Sequence, residues 1–552
     1  MMNSWILALQ VLIPLFGSVG VQLVRDRNEK TLARIAVGSL VCYSIISFIT
    51  CLLWIFNGGG QMGSTLFAIY TDELMQIDIE LKFDIFAMVF SVLGGVIAFM
   101  VLIYSRYYMH RDQGFKRYFS LLLLFFAAYN LVILSGNFET MFAGWEVVGI
   151  TSFLMISFYS DRYLPVKNAF KILSIYRLGD IAFVLAMWMS HQLWHRNISF
   201  SELENSALVT SHFETHGAFA VLVGTLLLLA AMTKSAAFPF SHWLPRAMEG
   251  PTSSSAIFYG SLSLHLGLFV LLRTYPYWSH HQVLVIAAVA VGVVTALVGN
   301  RIAVVQPTVK TQIAYSAVTQ GGIILAEIAL GWHVLAMVHI SGHMLFRTYQ
   351  FLVSPSVLSY KVHNMYFKTS GAVSLHGWSG IRYTLLVLGV REWGLDDWMN
   401  RGWRTLKRIG TGLAALFNPR TIALVGLIVL AIGILVPVIQ VDPALFIWSG
   451  MLISACAALM ALAGFAYRED PIIILFTTFF SLVLLCCSVM VYHHTPVRYL
   501  LLYFSGVLPG FILCVVALRT TAKRFGPIRM NRYYGHIQDT RAWAYLFLLS
   551  CL

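Results

Sequence analysis

His339, His343 and Arg347 recur at intervals of four, so on a helix they share one face. The run that holds them, 334–354, is otherwise apolar enough to lie in a bilayer, where each such side chain needs a reason to be present. Together they cover about 12 Å of depth along the axis. Imidazoles titrate near neutral pH, and a row of them suits the relay of a proton. The alternative is that each histidine only hydrogen-bonds a neighbouring helix. Other apolar runs carry charge too: Glu146 after Gly144-Trp145, Asp180 one turn after Arg177, Lys234 shortly before Pro239, and Glu327. A lysine in apolar surroundings is drawn toward the neutral amine by desolvation and toward the ammonium by a nearby carboxylate. Held between the two, it can release and regain a proton as its partner moves. Glu146 is the candidate partner of Lys234; the rival is a static ion pair tying two helices together.

The elements that must position these groups are read from the rest of the chain. Its 552 residues are 59% hydrophobic and 11% charged, with a mean hydropathy of +0.76. So few charges could not cover a water-soluble protein of this size. Apolar runs long enough to span lie near 4–24, 35–56, 84–105, 118–135, 138–158, 168–190, 218–238, 255–275, 282–300, 311–330, 334–354, 421–440, 444–466, 471–492 and 498–518. They are apolar all round rather than alternating, which argues for helices over a barrel. The fold class expected is an all-α polytopic membrane protein of about 14–15 transmembrane helices. The first run has no basic leader or small-residue cleavage site and reads as a retained helix.

The net charge of +13 sits in short loops and reads as a topology signal, not a nucleic-acid footprint. Arg25, Arg27, Lys30 and Arg34 form a basic loop; Asp72, Glu73, Asp78 and Glu80 form an acidic one; Arg106, Arg111, Lys116 and Arg117 are basic again. Arg162, Lys167 and Lys171, then Arg301 and Lys310, continue the pattern, and the tail carries Arg519, Lys523, Arg524, Arg529 and Arg532. The positive-inside rule then puts the N-terminus outside and the C-terminus in the cytoplasm. Residues 355–419 mix Trp378, Trp393, Trp398 and Trp403 with eight lysines and arginines. That composition suits helices in the headgroup layer, or a docking surface for a partner built around Trp393, Arg401, Trp403, Arg404 and Lys407. The divisions expected are N-terminal helices to 75, a core at 76–354, the amphipathic segment 355–419, C-terminal helices at 420–518 and a basic tail at 519–552.

The seven cysteines form no CxxC or Cys/His spacing. His191, His195, His212 and His216 fall in one outward stretch, 191–217, and read as exposed histidines with no further ligand set. No nucleophile elbow, P-loop or dinucleotide fingerprint is present, so no cofactor and no catalytic site of the chain's own is expected.

Over residues 75–354 the sequence resembles the antiporter-like subunits of respiratory complex I and Mrp antiporters, the NuoL-type proton-conducting family. The resemblance rests on Phe142-Ala143-Gly144-Trp145-Glu146-Val147-Val148-Gly149, on Arg177-Leu178-Gly179-Asp180, and on the long stretch from Lys234 to Thr252. Val309-Lys310-Thr311-Gln312-Ile313-Ala314-Tyr315-Ser316 and the His339/His343 run complete it. It implies a bundle with broken helices, a modulating pair at Glu146 and Lys234, and a polar axis through His339 and His343, with Asp180, Lys310 and Glu327 on the same pathway. The chain departs from the family at Tyr259, where a histidine or lysine is usual; His265 is the candidate substitute. It departs again at Arg347, which stands for a lysine and does not readily release a proton. Runs 421–440 and 444–466 hold no lysine. These departures look most like the DabB-type membrane subunits of inorganic carbon accumulation systems. That likeness implies a DabA-like partner resembling a zinc β-carbonic anhydrase, with the zinc in the partner. A complex I, hydrogenase or Mrp-type module, and a non-conducting anchor for a cytoplasmic enzyme, are the other readings.

Overall fold

The computed structural model describes residues 2–71, 76–194, 198–354, 379–416, 443–464, 470–493 and 497–526, with a few positions between 424 and 431. His195, most of the run 421–440, most of the basic tail and part of 355–419 lie outside the described residues. The chain forms two compact units, Met1–Leu395 and Asp396–Leu552.

In lipid every backbone polar group must be satisfied within its own segment, so apolar runs of this length become helices. The first unit contains α1 (Met2–Leu23), α2 (Glu29–Phe56), α3 (Ile85–Tyr108), α4 (Phe115–Ile133), α5 (Phe138–Ile156), α6 (Tyr163–Trp194) and α7 (Ser206–Lys234). The short α8 (Trp243–Arg246) and α9 (Thr252–Ser255) precede a π-helical turn at Ala256–Ser261 and α10 (Leu262–Trp278). Then come α11 (Gln282–Val305), α12 (Val309–Ala329) and α13 (His333–Val353). Further helices are Ser379–Val390 in this unit and, in the second, Pro443–Gly464, Pro471–His493 and Val497–Phe525; Leu395–Leu416 begins at the boundary.

Ten of the described helical stretches are long and apolar enough to cross a membrane, and the chain is a multi-pass membrane protein. α5, α12 and α13 match them in length and carry Glu146, Glu327 and the His339–Arg347 row. α10 is enclosed by its neighbours, with Leu262 through Thr274 all buried. Small residues let helices approach: a Cβ at Gly322 of α12 would meet the Gly292 carbonyl oxygen of α11 at 2.6 Å. Side chains start several helices, Asp84 accepting from the Ala87 amide at 3.0 Å, Asn137 from Thr140 at 2.9 Å and Thr308 from Thr311 at 3.2 Å.

The acidic loop is more ordered than the sequence led us to expect. It forms an antiparallel pair, β1 (Met62–Thr71) with β2 (Gln76–Phe83), because Ile77, Ile79 and Leu81 alternate with Asp78, Glu80 and Lys82 at the strand period. The stretch 191–217 differs too. α6 runs on to Trp194 and α7 starts at Ser206, and His191 is not an exposed loop histidine but pairs with Glu139 at 2.7 Å. His212 and His216 stack at 6.1 Å between centroids, and no third ligand joins them among the described residues.

The loops of the first unit gather into two faces. On one, Lys116 meets Asp26 at 3.4 Å, His110 meets Glu29 at 2.7 Å, and both Tyr108 and Lys310 reach Thr252. On the other, the Gly136 amide donates to Glu80, the Phe200 amide donates to Gly136, and Lys82 pairs with Glu204 at 2.8 Å. Basic and acidic loops thus segregate. In the second unit Ile453, Ala457, Met460 and Ala463 pack on Val483, Leu484, Cys487 and Val491. The Ser481 hydroxyl donates to the Ala457 carbonyl across that contact at 2.7 Å.

Candidate ion pathway

Lys234 ends α7. Residues 235–242, with Pro239 among them, are not helical, so Lys234 stands in the last turn of α7. The Trp243 indole donates to the freed Thr233 carbonyl at 2.9 Å. A Cβ at Gly179 of α6 would fall on the Thr233 hydroxyl, so only glycine there lets α6 come this close to α7.

The Lys234 ammonium is buried and donates to the Trp145 carbonyl at 3.3 Å. It lies 4.6 Å from the centre of the Trp145 ring and 4.9 Å from that of Tyr176, an aromatic cradle that holds a cation by its π-faces. Among the described residues no carboxylate lies within ion-pair distance of it, and the direct Glu146–Lys234 pair is not formed. Glu146 follows Trp145, and successive helical residues point about 100° apart. With Trp145 turned to Lys234, Glu146 turns to α6. There Arg177 takes it by a two-pronged fork at 3.1 and 2.6 Å. The same guanidinium pairs with Asp180 at 3.0 Å, and Asp180 accepts from the Trp145 indole at 2.7 Å. Arg177 is therefore the hub of this cluster, and Trp145 is the link from Asp180 to Lys234.

From the cradle a line of hydroxyls continues. Tyr176 lies 3.4 Å from the Ser152 hydroxyl, which lies 3.0 Å from that of Tyr259 on the π turn. Tyr259 thus fills its position with a hydroxyl in place of an imidazole or amine. Six residues on, His265 of α10 meets His343 of α13, Nε2 to Nδ1, at 2.9 Å. His343 Nε2 accepts from Arg347 Nε at 3.1 Å, and Arg347 also donates to Gln350 at 2.5 Å and Ser316 at 2.6 Å. His339 faces α12, its Nδ1 at 3.0 Å from Glu327 and its Nε2 at 2.9 Å from the Gln320 amide oxygen.

Of the residues singled out in the sequence, Asp180 and Glu146 meet through Arg177, His265, His343 and Arg347 form one chain, and His339 and Glu327 pair beside it. Lys310 stands apart: it donates to Thr252 at 2.7 Å on the basic face. Trp393, Arg401, Trp403, Arg404 and Lys407 are exposed, in the first unit for Trp393 and on the helix Leu395–Leu416 for the others. Arg177, Trp145, Tyr176, Ser152, Gln320 and Ser316 were missed as site residues. Their signal was present in part, since Ser152, Ser316 and Gln320 are polar residues inside apolar runs.

A helical multi-pass bundle with a buried file of charges and hydroxyls defines the class. Residues 135–384 match the family model described as NADH:quinone oxidoreductase/Mrp antiporter, transmembrane region, and residues 69–119 match that of the N-terminus of complex I chain 5. Over these two stretches the chain is similar to antiporter-like subunits of the complex I and Mrp type. NADH-ubiquinone oxidoreductase chain 5 of Halichoerus grypus is 32% identical over 322 residues, 58% of this chain and 50% of that one. The same subunit of Candida albicans is 33% identical over 282 residues, 51% and 50% of the two chains. The chain spans about half the length of the curated relatives it matches. Among solved structures the Mrp complex from a Dietzia species superposes with a TM-score of 0.55 at 20% identity, over 100% of this chain and 55% of that one. An archaeal membrane-bound sulfane sulfur reductase gives 0.53 at 17%, over 64% and 70%. These two likenesses are of fold.

Proposed function

We propose that the chain is a cation-conducting membrane subunit of a multi-subunit complex of the complex I, membrane hydrogenase or Mrp kind, with no catalytic site of its own. The observation that carries this reading is a pair of buried polar clusters inside the bundle, one of Asp180, Lys234, Tyr176, Ser152 and Tyr259 and one of His265, His343 and Arg347, with Tyr259 and His265 six residues apart in the chain. Amines, imidazoles, hydroxyls and carboxylates all exchange protons, which makes the proton the cation of choice. The membrane proposed is a bacterial inner membrane, with the basic face cytoplasmic.

A narrower reading makes that flow energise inorganic carbon accumulation by a DabA-like zinc subunit resembling carbonic anhydrase. Arg347 in place of a lysine, Tyr259 in place of a histidine, and the exposed Trp393, Arg401, Trp403, Arg404 and Lys407 favour it. Purification of the tagged full chain from its native membrane, with mass spectrometry and zinc analysis of what accompanies it, separates the two. Several membrane subunits are expected for the broader reading. A single zinc protein in equal amount, released by charge reversal at Arg401, Arg404 and Lys407, selects the narrower one. A chain that purifies alone contradicts both.

A further inference from the structure

The hydrogen bonds around His343 fix where its protons are. Arg347 Nε carries a hydrogen and can only donate, so His343 Nε2 is the acceptor in their 3.1 Å bond. At the other end His265 Nδ1 bonds the Ser261 carbonyl oxygen, which can only accept, so Nδ1 carries the proton there. One proton is left for the bond between His265 Nε2 and His343 Nδ1. Placing it on His265 would make that ring a cation and its neighbour an imidazolate, side by side in an apolar interior. Placing it on His343 leaves both rings neutral. The chain therefore runs one way, from Arg347 through His343 and His265 to the Ser261 carbonyl, and every ring nitrogen in it is occupied.

A saturated pair has no lone pair to offer. An incoming proton can bind His343 only at Nε2, and Arg347 holds that nitrogen. The guanidinium also repels it: Arg347 is buried, and its contacts at His343, Gln350 and Ser316 are all neutral acceptors, with no carboxylate within ion-pair distance among the described residues. A fixed arginine in a pore is an established way to exclude protons. His339 is built differently. Its partners are the Glu327 carboxylate and the Gln320 amide, which can turn to donate or accept, so this ring can gain or lose a proton without losing a partner. Its ring centre lies 6.5 Å from that of His343.

We propose that Arg347 is the gate of the file: docked on His343 it stops a proton held at His339 and Glu327 from passing to His343 and His265, and conduction requires the guanidinium to withdraw. This rests on the proton-conducting reading above. It assigns Arg347 the reverse of a relay role, since removing a relay lowers flux whereas removing a gate raises it.

The test uses the full chain in proteoliposomes enclosing a pH-sensitive dye, under an imposed potential, comparing wild type, Arg347→Gln and the double variant Arg347→Gln/Lys234→Ala. Arg347→Gln is expected to conduct at least severalfold faster than wild type; flux equal to or below wild type overturns the gate. The double variant checks the conduction reading separately: return to background ties the leak to the file through Lys234, and no change breaks that reading while the gate stands. Should Arg347→Gln fail to fold, nitrogen-15 spectra of histidine-labelled wild type decide. His343 and His265 are expected as neutral rings protonated at Nδ1, and a proton on His343 Nε2 overturns the proposal.

Discussion

Ser152 is the single link between two tyrosines of the candidate pathway. Its hydroxyl stands between those of Tyr176 and Tyr259, with no other polar group bridging them among the described contacts. A hydroxyl both accepts and donates, so a proton can pass along such a row by successive exchange. Ser152→Ala removes the middle member and leaves the aromatic rings in place. Flux through proteoliposomes is expected to fall at least fivefold, with the elution profile and helix content of the wild type. Unchanged flux means that protons take another route. At this scale the sequence revealed the charges and concealed their partners. Lys234, His339, His343 and Arg347 stood out because a charge in an apolar run is costly. That Glu146 turns to Arg177 and not to Lys234 follows from a rotation about the α5 axis, which depends on how α5 packs.

At the scale of elements, the outer hairpin β1–β2 presents a titratable group whose setting is unfavourable. Burial raises the Glu80 carboxyl above its ordinary value of 4.5, with Glu202, Asp78 and Glu139 adding repulsion and Lys82 opposing it. A raised carboxylate contributes stability that is complete below its unfolded value and is lost as pH rises through the folded one. At neutral pH Glu80 therefore weakens the hairpin, and Glu80→Gln should raise the thermal midpoint of the detergent-solubilised protein by about 1–3 °C at pH 7.5. The gain should vanish below pH 4.5, where the native carboxyl is protonated in both states. A variant that is less stable at pH 7.5 overturns this assignment. The helices were legible because a 20-residue apolar run has few alternatives. The hairpin was not, since its alternation is short and its inward face is set by contacts with Gly136 and Thr140, more than 50 residues away.

For the whole molecule, segregation of basic and acidic loops to opposite faces of the first unit agrees with the alternation read along the chain. The positive-inside rule predicts residue 205 outside and residue 530 inside. In a cysteine-free background, single cysteines at these positions should label from opposite sides of intact and permeabilised cells. Labelling of both by an impermeant reagent in intact cells contradicts the topology. The order of spans was readable because each loop's charge reports its side independently. The meeting of His265 with His343, 78 residues apart, was not, because nothing in the spacing of either run names its partner.

The central claim is that ions pass along the file through Lys234. Its most direct test is ion flux in proteoliposomes holding the full chain with whatever subunits purify with it, comparing wild type, Lys234→Ala and Lys234→Arg. Alanine removes the exchangeable amine and arginine keeps a charge that does not let its proton go. Both variants are predicted to fall to the background of empty liposomes, at least tenfold below wild type, while retaining their partners. Wild-type flux in Lys234→Ala would contradict the account.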